Sequence, residues 1–257
     1  MATTFGEQLA AVLNSRLVGV YLVGSYALGD LRRESDVDFL AAVEGGVPST
    51  GVEQLRSLHA LMASRYPQRP FDGFYVDPQD LRHHPDPSSK GGFQFLDGTL
   101  RRNTKVRLVE WEMLRRCGHL VRGRQVSELG VFDASADLAA FCHRNLLDYW
   151  TPWLERTAPY LMDGDPIGPE RTKMAWAAAW CVLGILRLQV AIADGSIVSK
   201  TEAGIRARSR SAPAWHAVID AALDYRRRGD EAAIQQLAAM CIEALAFCRR
   251  VVQTART

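Results

Sequence analysis

Val18-Gly19-Val20-Tyr21-Leu22-Val23-Gly24-Ser25-Tyr26-Ala27-Leu28-Gly29-Asp30, followed by Glu34-Ser35-Asp36-Val37-Asp38-Phe39-Leu40, is the stretch that decides the reading of this chain. Residues 18 to 23 form a short β-branched and aromatic run closed by Gly24, the pattern of a buried strand ending in a tight turn. A helical turn follows. The segment from Asp36 to Val43 then reads as a second strand, carried by Val37, Phe39, Leu40 and Val43 and bounded by Gly45-Gly46, so the two runs predict a hairpin-like pair. Side chains on a strand alternate between its faces, which puts Asp36 and Asp38 on one face, about 7 Å apart. Two like charges at the mouth of an apolar strand are costly unless a cation lies between them. The plainer alternative is a turn-and-cap segment, since Ser and Asp are common in loops. The strand ending in Gly24-Ser25 at a short distance upstream argues against it.

An aspartate pair of this kind suits magnesium, which takes oxygen ligands and completes its shell with water and substrate phosphates. Two such ions can activate an attacking oxygen and stabilise a leaving pyrophosphate. Gly24 lets the backbone come close to a triphosphate, while the Ser25 hydroxyl and nearby amides donate to its oxygens. Ser25 is thus read as a phosphate holder. Ser35, just before Asp36, is counted with Gly24 and Ser25 as a nucleotide-binding position.

Outward from this centre, Phe5, Leu9, Val12 and Leu13 recur at helical spacing, which predicts an amphipathic helix at the start. Thr50-Gly51-Val52-Glu53 has capping-box spacing and opens a helix that ends near Pro67. Phe71 to Val76, set between Pro70 and Pro78, predicts a third strand. Residues 77 to 98 are dense in Pro, Gly, Ser and His and predict a surface excursion that lines or covers the site. After about residue 104 the β signals stop. Helices are expected at Val106, Val109, Met113 and Leu114, from Leu138 to Trp153, from Trp176 to Ala193 and from Ala233 to Val252. The expected fold class is α+β: a mixed-sheet domain over residues 1–104, then an all-α bundle over 105–257.

The 257 residues carry 31 Lys and Arg against 29 Asp and Glu, a net charge of +2, so no one-sign field calls for nucleic acid. The N-terminus lacks a signal-peptide pattern and no later run reaches membrane-spanning length, which sets the expectation of a cytoplasmic protein with no membrane partner. Five widely spaced cysteines, with no Cys-x-x-Cys pair, read as small buried apolar residues. His83 and His84 lack the spacing of a zinc site. Arg226 to Arg228 reads as a solvated helix end. Most of the six tryptophans read as core, with Trp111, between Glu110 and Glu112, as the one cleft candidate.

Gly-Ser, about ten residues, then Asp-x-Asp resembles the nucleotidyltransferase superfamily that includes DNA polymerase beta and the antibiotic nucleotidyltransferases. Val182 to Leu188, Gly195 to Ala203 and Ala222 to Tyr225 extend the likeness to the aminoglycoside (3'')(9)-adenylyltransferases over nearly the full length. The resemblance implies transfer of AMP from ATP to a hydroxyl of an aminoglycoside or aminocyclitol, as in antibiotic resistance, with two Mg2+ ions and release of pyrophosphate. It implies a third carboxylate, Asp72, as base and metal ligand beside Asp36 and Asp38, with Asp77 as its rival. It also implies that Arg187 and Lys200 reach the ATP phosphates from the helical domain, which would face the acceptor as well. Where that branch carries acidic and histidine residues toward the acceptor, this chain has Lys173, Ala177 and Trp180; Asp163, Asp165 and Glu170 lie just upstream. A protein or RNA acceptor, or a silent nucleotide-binding role, stays open as the alternative.

Overall fold

The computed structural model describes residues 1–32, 35–85, 92–103 and 108–256. By its internal contacts the chain divides into two compact units, Met1–Ala136 and Asp137–Thr257.

The first unit is a six-stranded mixed sheet. Helix α1 (Ala2–Leu13) leads into β1 (Leu17–Leu22), and the short helix α2 (Gly24–Ala27) connects it to β2 (Val37–Val43). β1 and β2 pair antiparallel, as the hairpin-like reading predicts. Helix α3 (Val52–Arg65) then crosses over to β3 (Phe71–Val76), which lies parallel to β2. Helix α4 (Pro78–Leu81) precedes a hairpin of β4 (Gly92–Leu96) and β5 (Thr99–Asn103). Helix α5 (Leu108–Cys117) precedes β6 (His119–Gly123). The strand order is β5-β4-β3-β2-β1-β6, with every pairing except β2–β3 antiparallel.

Strand alternation explains the core. Val37, Phe39, Ala41 and Val43 of β2 and Phe71 and Tyr75 of β3 turn one face toward Phe5, Leu9 and Leu13 of α1 and Leu55, Leu58 and Met62 of α3. The two helices therefore cover one side of the sheet, and Asp38 of β2 and Asp72 of β3 belong to the opposite phase of their strands, with Asp36 just ahead of β2. Apolar burial holds the platform and the carboxylates occupy the remaining face.

Two expectations about this unit need correction. The segment 77–98 is partly structured: Asp77 caps α4 by accepting from the Gln79 amide at 2.9 Å, and Phe93 and Phe95 belong to β4. Its Gly and Pro content hid an Asp97-Gly98 hairpin turn; residues 86–91 lie outside the described residues. The sheet also does not stop at residue 104. β6 pairs antiparallel with β1, Leu22 opposite His119 and Gly19 opposite Gly123. It is a short, largely exposed edge strand with charged residues, so it has almost no apolar alternation to read. The first unit consequently extends to Ala136 rather than to residue 104. Val106, placed on a helix by its spacing, falls outside the described residues.

The second unit is all helix: α6 (Ser135–Asn145, starting at the boundary), a π-helical turn over Leu146–Trp150, α7 (Thr151–Asp163), α8 (Arg171–Asp194), α9 (Lys200–Arg210), α10 (His216–Arg228), α11 (Glu231–Ala238) and α12 (Cys241–Thr254). The last expected helix is in fact two, α11 and α12, meeting at a bend of 61°. Helix α8 is long and apolar enough to cross a membrane by length and composition alone, which the sequence reading missed. Its apolar residues Met174, Ala178, Cys181, Val182, Ile185 and Leu186 are buried as the central strut of the bundle.

Four of the five cysteines are buried in this unit as read, while Cys117 in the first unit is half-buried. Trp150, Trp153 and Trp180 pack with the bundle core. Trp176 does not: it is 53% exposed, stacked on Trp180 with ring centroids 5.7 Å apart. Trp111 is no cleft residue either, being buried in the first unit. Its neighbour Glu112 is a fully buried carboxylate. It accepts from Arg115 at 3.0 Å, from Arg116 at 2.6 Å and from the Ala134 amide at 2.8 Å.

Candidate active site

The Gly-Ser turn is built where β1 runs out. The Val23 amide donates to the Asp38 carbonyl at 3.0 Å, the last rung before the strands separate. Gly24 then takes φ +59, a left-handed conformation that side chains disfavour. A Cβ at Gly24 would also overlap the Asp38 carboxylate, so only glycine lets the turn lie against that aspartate. The turn is closed by the Leu28 amide donating to the Gly24 carbonyl at 3.2 Å and the Asp30 amide to the Ser25 carbonyl at 2.9 Å. Tyr26 of α2 meets His119 of β6 edge to face at 5.3 Å, so the edge strand missed by sequence helps to seat the turn.

The link to β2 is held by polar contacts. Asp30 is nearly fully buried and ion-paired with Arg32 at 2.9 Å. The Ser35 hydroxyl accepts from the Arg32 amide at 3.0 Å, and the Arg69 guanidinium donates to the Arg32 and Ser35 carbonyls. Ser35 thus shapes the loop that delivers Asp36.

On the parallel strands β2 and β3, Asp38 is the register partner of Asp72, and the Val37 amide donates to the Pro70 carbonyl at 2.8 Å. Asp36, expected to open this strand, instead lies just ahead of β2, where its negative charge still reaches Asp72. Asp72 feels the company it keeps. Burial, then the negative charges of Asp36, Asp97 and Asp38, push its carboxyl from 3.8 up to about 6, against a hydrogen bond from the Asp97 amide. Its Oδ1 is buried and has no hydrogen-bond partner among the described residues. Asp77, the rival, is used as the cap of α4 instead.

Among the described residues no three His, Cys, Asp or Glu side chains converge as a ready-made metal cage. Magnesium does not require one, because waters and substrate phosphates complete its shell. An orphaned buried carboxylate oxygen among mutually repelling aspartates is the donor set that such a cation would satisfy. The histidine pair forms no metal group among the described residues, and His84 lies edge-on to Phe132 at 5.5 Å.

The remaining expected residues lie in the helical unit. The Arg187 Nε, on α8, donates to the Val198 carbonyl at 3.1 Å. Lys200 opens α9 behind the Ser199 cap, with its Nζ 4.2 Å from the centre of the Trp180 ring. Arg187 and Lys200 thus belong to two helices that pack on each other, each with its own partner. Sequence reasoning missed Asp97, at φ +49 in the β4–β5 turn. The Asp-Gly dipeptide between Phe93-Gln94-Phe95 and Leu100 was the signal that could have found it.

Residues 7–77, the segment bearing the Gly-Ser turn and all three aspartates, match the family model described as Nucleotidyltransferase domain. Among solved structures, a spectinomycin adenyltransferase AAD(9) from Enterococcus faecialis, with ATP and spectinomycin, aligns over 93% of this chain and 96% of that chain, at 16% identity and a TM-score of 0.61. A toxin-antitoxin structure with AMP-PNP aligns over 62% of this chain and 94% of that chain, at 18% identity and a TM-score of 0.31. No curated protein sequence matches. The chain thus carries a nucleotidyltransferase domain around its carboxylate centre, and it shares the fold of a spectinomycin adenyltransferase.

Proposed function

We propose that this enzyme transfers AMP from ATP to a hydroxyl of an aminoglycoside or aminocyclitol antibiotic, in the cytoplasm, with magnesium and release of pyrophosphate. The observation that carries the reading is the parallel register that sets Asp72 beside Asp38, with Gly24 against the Asp38 carboxylate. The likeness in fold to an adenyltransferase crystallised with ATP and spectinomycin supports the choice of nucleotide and acceptor class.

Asp36, Asp38 and Asp72 would hold magnesium, which when bound neutralises charge on the triphosphate and on the attacking oxygen. The Gly24-Ser25 turn places amides and a hydroxyl toward the phosphates. Asp72 takes the proton of the acceptor hydroxyl; without metal, burial and the neighbouring aspartates hold its carboxyl near 6, so it is ionised and able to accept a proton at neutral pH. The acceptor oxygen forms a bond to the α-phosphorus as the bond to the bridging oxygen breaks, and pyrophosphate leaves. Arg187 and Lys200 are assigned to the charge that gathers on the leaving group.

The test is incubation with ATP and magnesium against a panel of aminoglycosides and aminocyclitols while pyrophosphate is monitored. Acceptor-dependent release is expected. Release with none of them, together with labelling of a protein or RNA, would overturn the acceptor class.

A further inference from the structure

Three aspartates suffice for the chemistry assigned above, yet the structure brings a fourth carboxylate to the same place. Asp97 stands at the tip of the β4–β5 hairpin, where β4 runs antiparallel to β3 with Phe95 opposite Gly73. That register carries the turn past the start of β3, and the Asp97 amide donates to the Asp72 carboxylate. The Asp97 side chain is exposed, and among the described residues it makes no ion pair. Its charge acts on Asp72 more strongly than that of Asp38, the register neighbour.

The turn does not require a charge there. A two-residue turn of left-handed residues, φ +49 at Asp97 and +73 at Gly98, accepts Asn-Gly as well as Asp-Gly. A carboxylate at that position adds like-charge repulsion to a centre that already holds three. Folding therefore gains nothing from this charge that asparagine would not supply. Asp36, Asp38 and Asp72 are the residues that would hold metal, whereas Asp97 is a negative group on an exposed turn, next to the base that must meet the acceptor hydroxyl.

We propose that Asp97 is a specificity-determining residue: its carboxylate receives an ammonium group of the acceptor and so brings a neighbouring hydroxyl to Asp72. The inference rests on the cationic-acceptor reading above. It supplies the first unit with an acidic contact for a cation; in the helical unit, Lys173, Ala177 and Trp180 stand where the resemblance implies acidic and histidine residues.

The experiment is steady-state kinetics of the full-length enzyme and Asp97→Asn, with a turned-over aminocyclitol or aminoglycoside and ATP varied in separate series. Asn-Gly keeps the turn and the amide and removes a like charge, so the variant should be at least as stable as wild type in thermal denaturation. The acceptor KM is expected to rise about tenfold, with the KM for ATP and the magnesium requirement within twofold. Raising salt should weaken acceptor binding to wild type more than to the variant. An unchanged acceptor KM would overturn the proposal while leaving the acceptor class intact. So would a raised magnesium requirement with an unchanged acceptor KM, which would make Asp97 a metal ligand. No turnover of any cationic acceptor by wild type would overturn both readings together.

Discussion

Asp38 and Asp72 are register partners on two parallel strands, β2 and β3, joined by the crossover helix α3. Strand order, not local sequence, makes them neighbours. Because the pair is set by the backbone ladder, replacing one carboxylate should alter the chemistry without disturbing the fold.

Asp72→Asn tests both faces of this arrangement. A carboxyl held near 6 in the folded chain binds its proton more tightly than in the unfolded chain, so stability falls as pH rises from about 4 to 6. In magnesium-free buffer at pH 7.5 the variant should be more stable than wild type by about 1–2 kcal/mol, and the gain should vanish below pH 4. Transfer should drop at least about a hundredfold, as for loss of a general base. Denaturant titrations at both pH values check the first part, and initial rates the second.

Gly24→Ala should fail locally. Its left-handed φ and its contact with Asp38 leave no room for a methyl group, so the turn or the aspartate must move. Backbone strain of this kind costs about 1–3 kcal/mol. The KM for ATP should rise and kcat fall, with a modest loss in Tm; wild-type kinetics in this variant would contradict the close approach.

Glu112→Gln probes the support of the first unit. Burial raises the Glu112 carboxyl, but hydrogen bonds from Arg115, the Ala134 amide and Arg116 outweigh it, and the group lies below the usual carboxylate range. Its stabilising contribution is present above the ordinary carboxylate pKa and is lost as pH falls through the lower folded value. Breaking a buried ionic centre costs about 3–5 kcal/mol, so the variant should unfold at far lower denaturant than wild type. A change under 1 kcal/mol would show that the two arginines do not depend on it.

Trp150→Ala and Trp176→Ala should separate sharply. Trp150 is buried and Trp176 is half-exposed on the same unit. The first should cost about 3–5 kcal/mol and the second far less, as read by thermal denaturation.

Local pattern made the centre legible. Gly24-Ser25 and Asp36-Val37-Asp38 announced the strand, turn and carboxylate pair, and the aromatic run from Phe71 to Val76 between two prolines marked the next strand, on which the family resemblance singled out Asp72. What escaped was non-local. β6 is a polar edge strand held by its pairing with β1, about a hundred residues earlier. Asp97 was hidden because its hairpin lies in a Gly- and Pro-rich stretch whose composition reads as loop. Trp176 and Trp180 differ by one helical turn, and their spacing does not reveal that Trp176 is the exposed one.

The most direct test of the central claim is the transfer rate of Asp38→Asn, measured as acceptor-dependent pyrophosphate release with ATP and saturating magnesium, beside circular dichroism of the same sample. The account predicts a fold indistinguishable from wild type and a rate lower by at least about a thousandfold, corresponding to some 4 kcal/mol of lost transition-state stabilisation. A variant that keeps a tenth or more of the wild-type rate would contradict an active centre built on Asp38 and its partners Asp36 and Asp72.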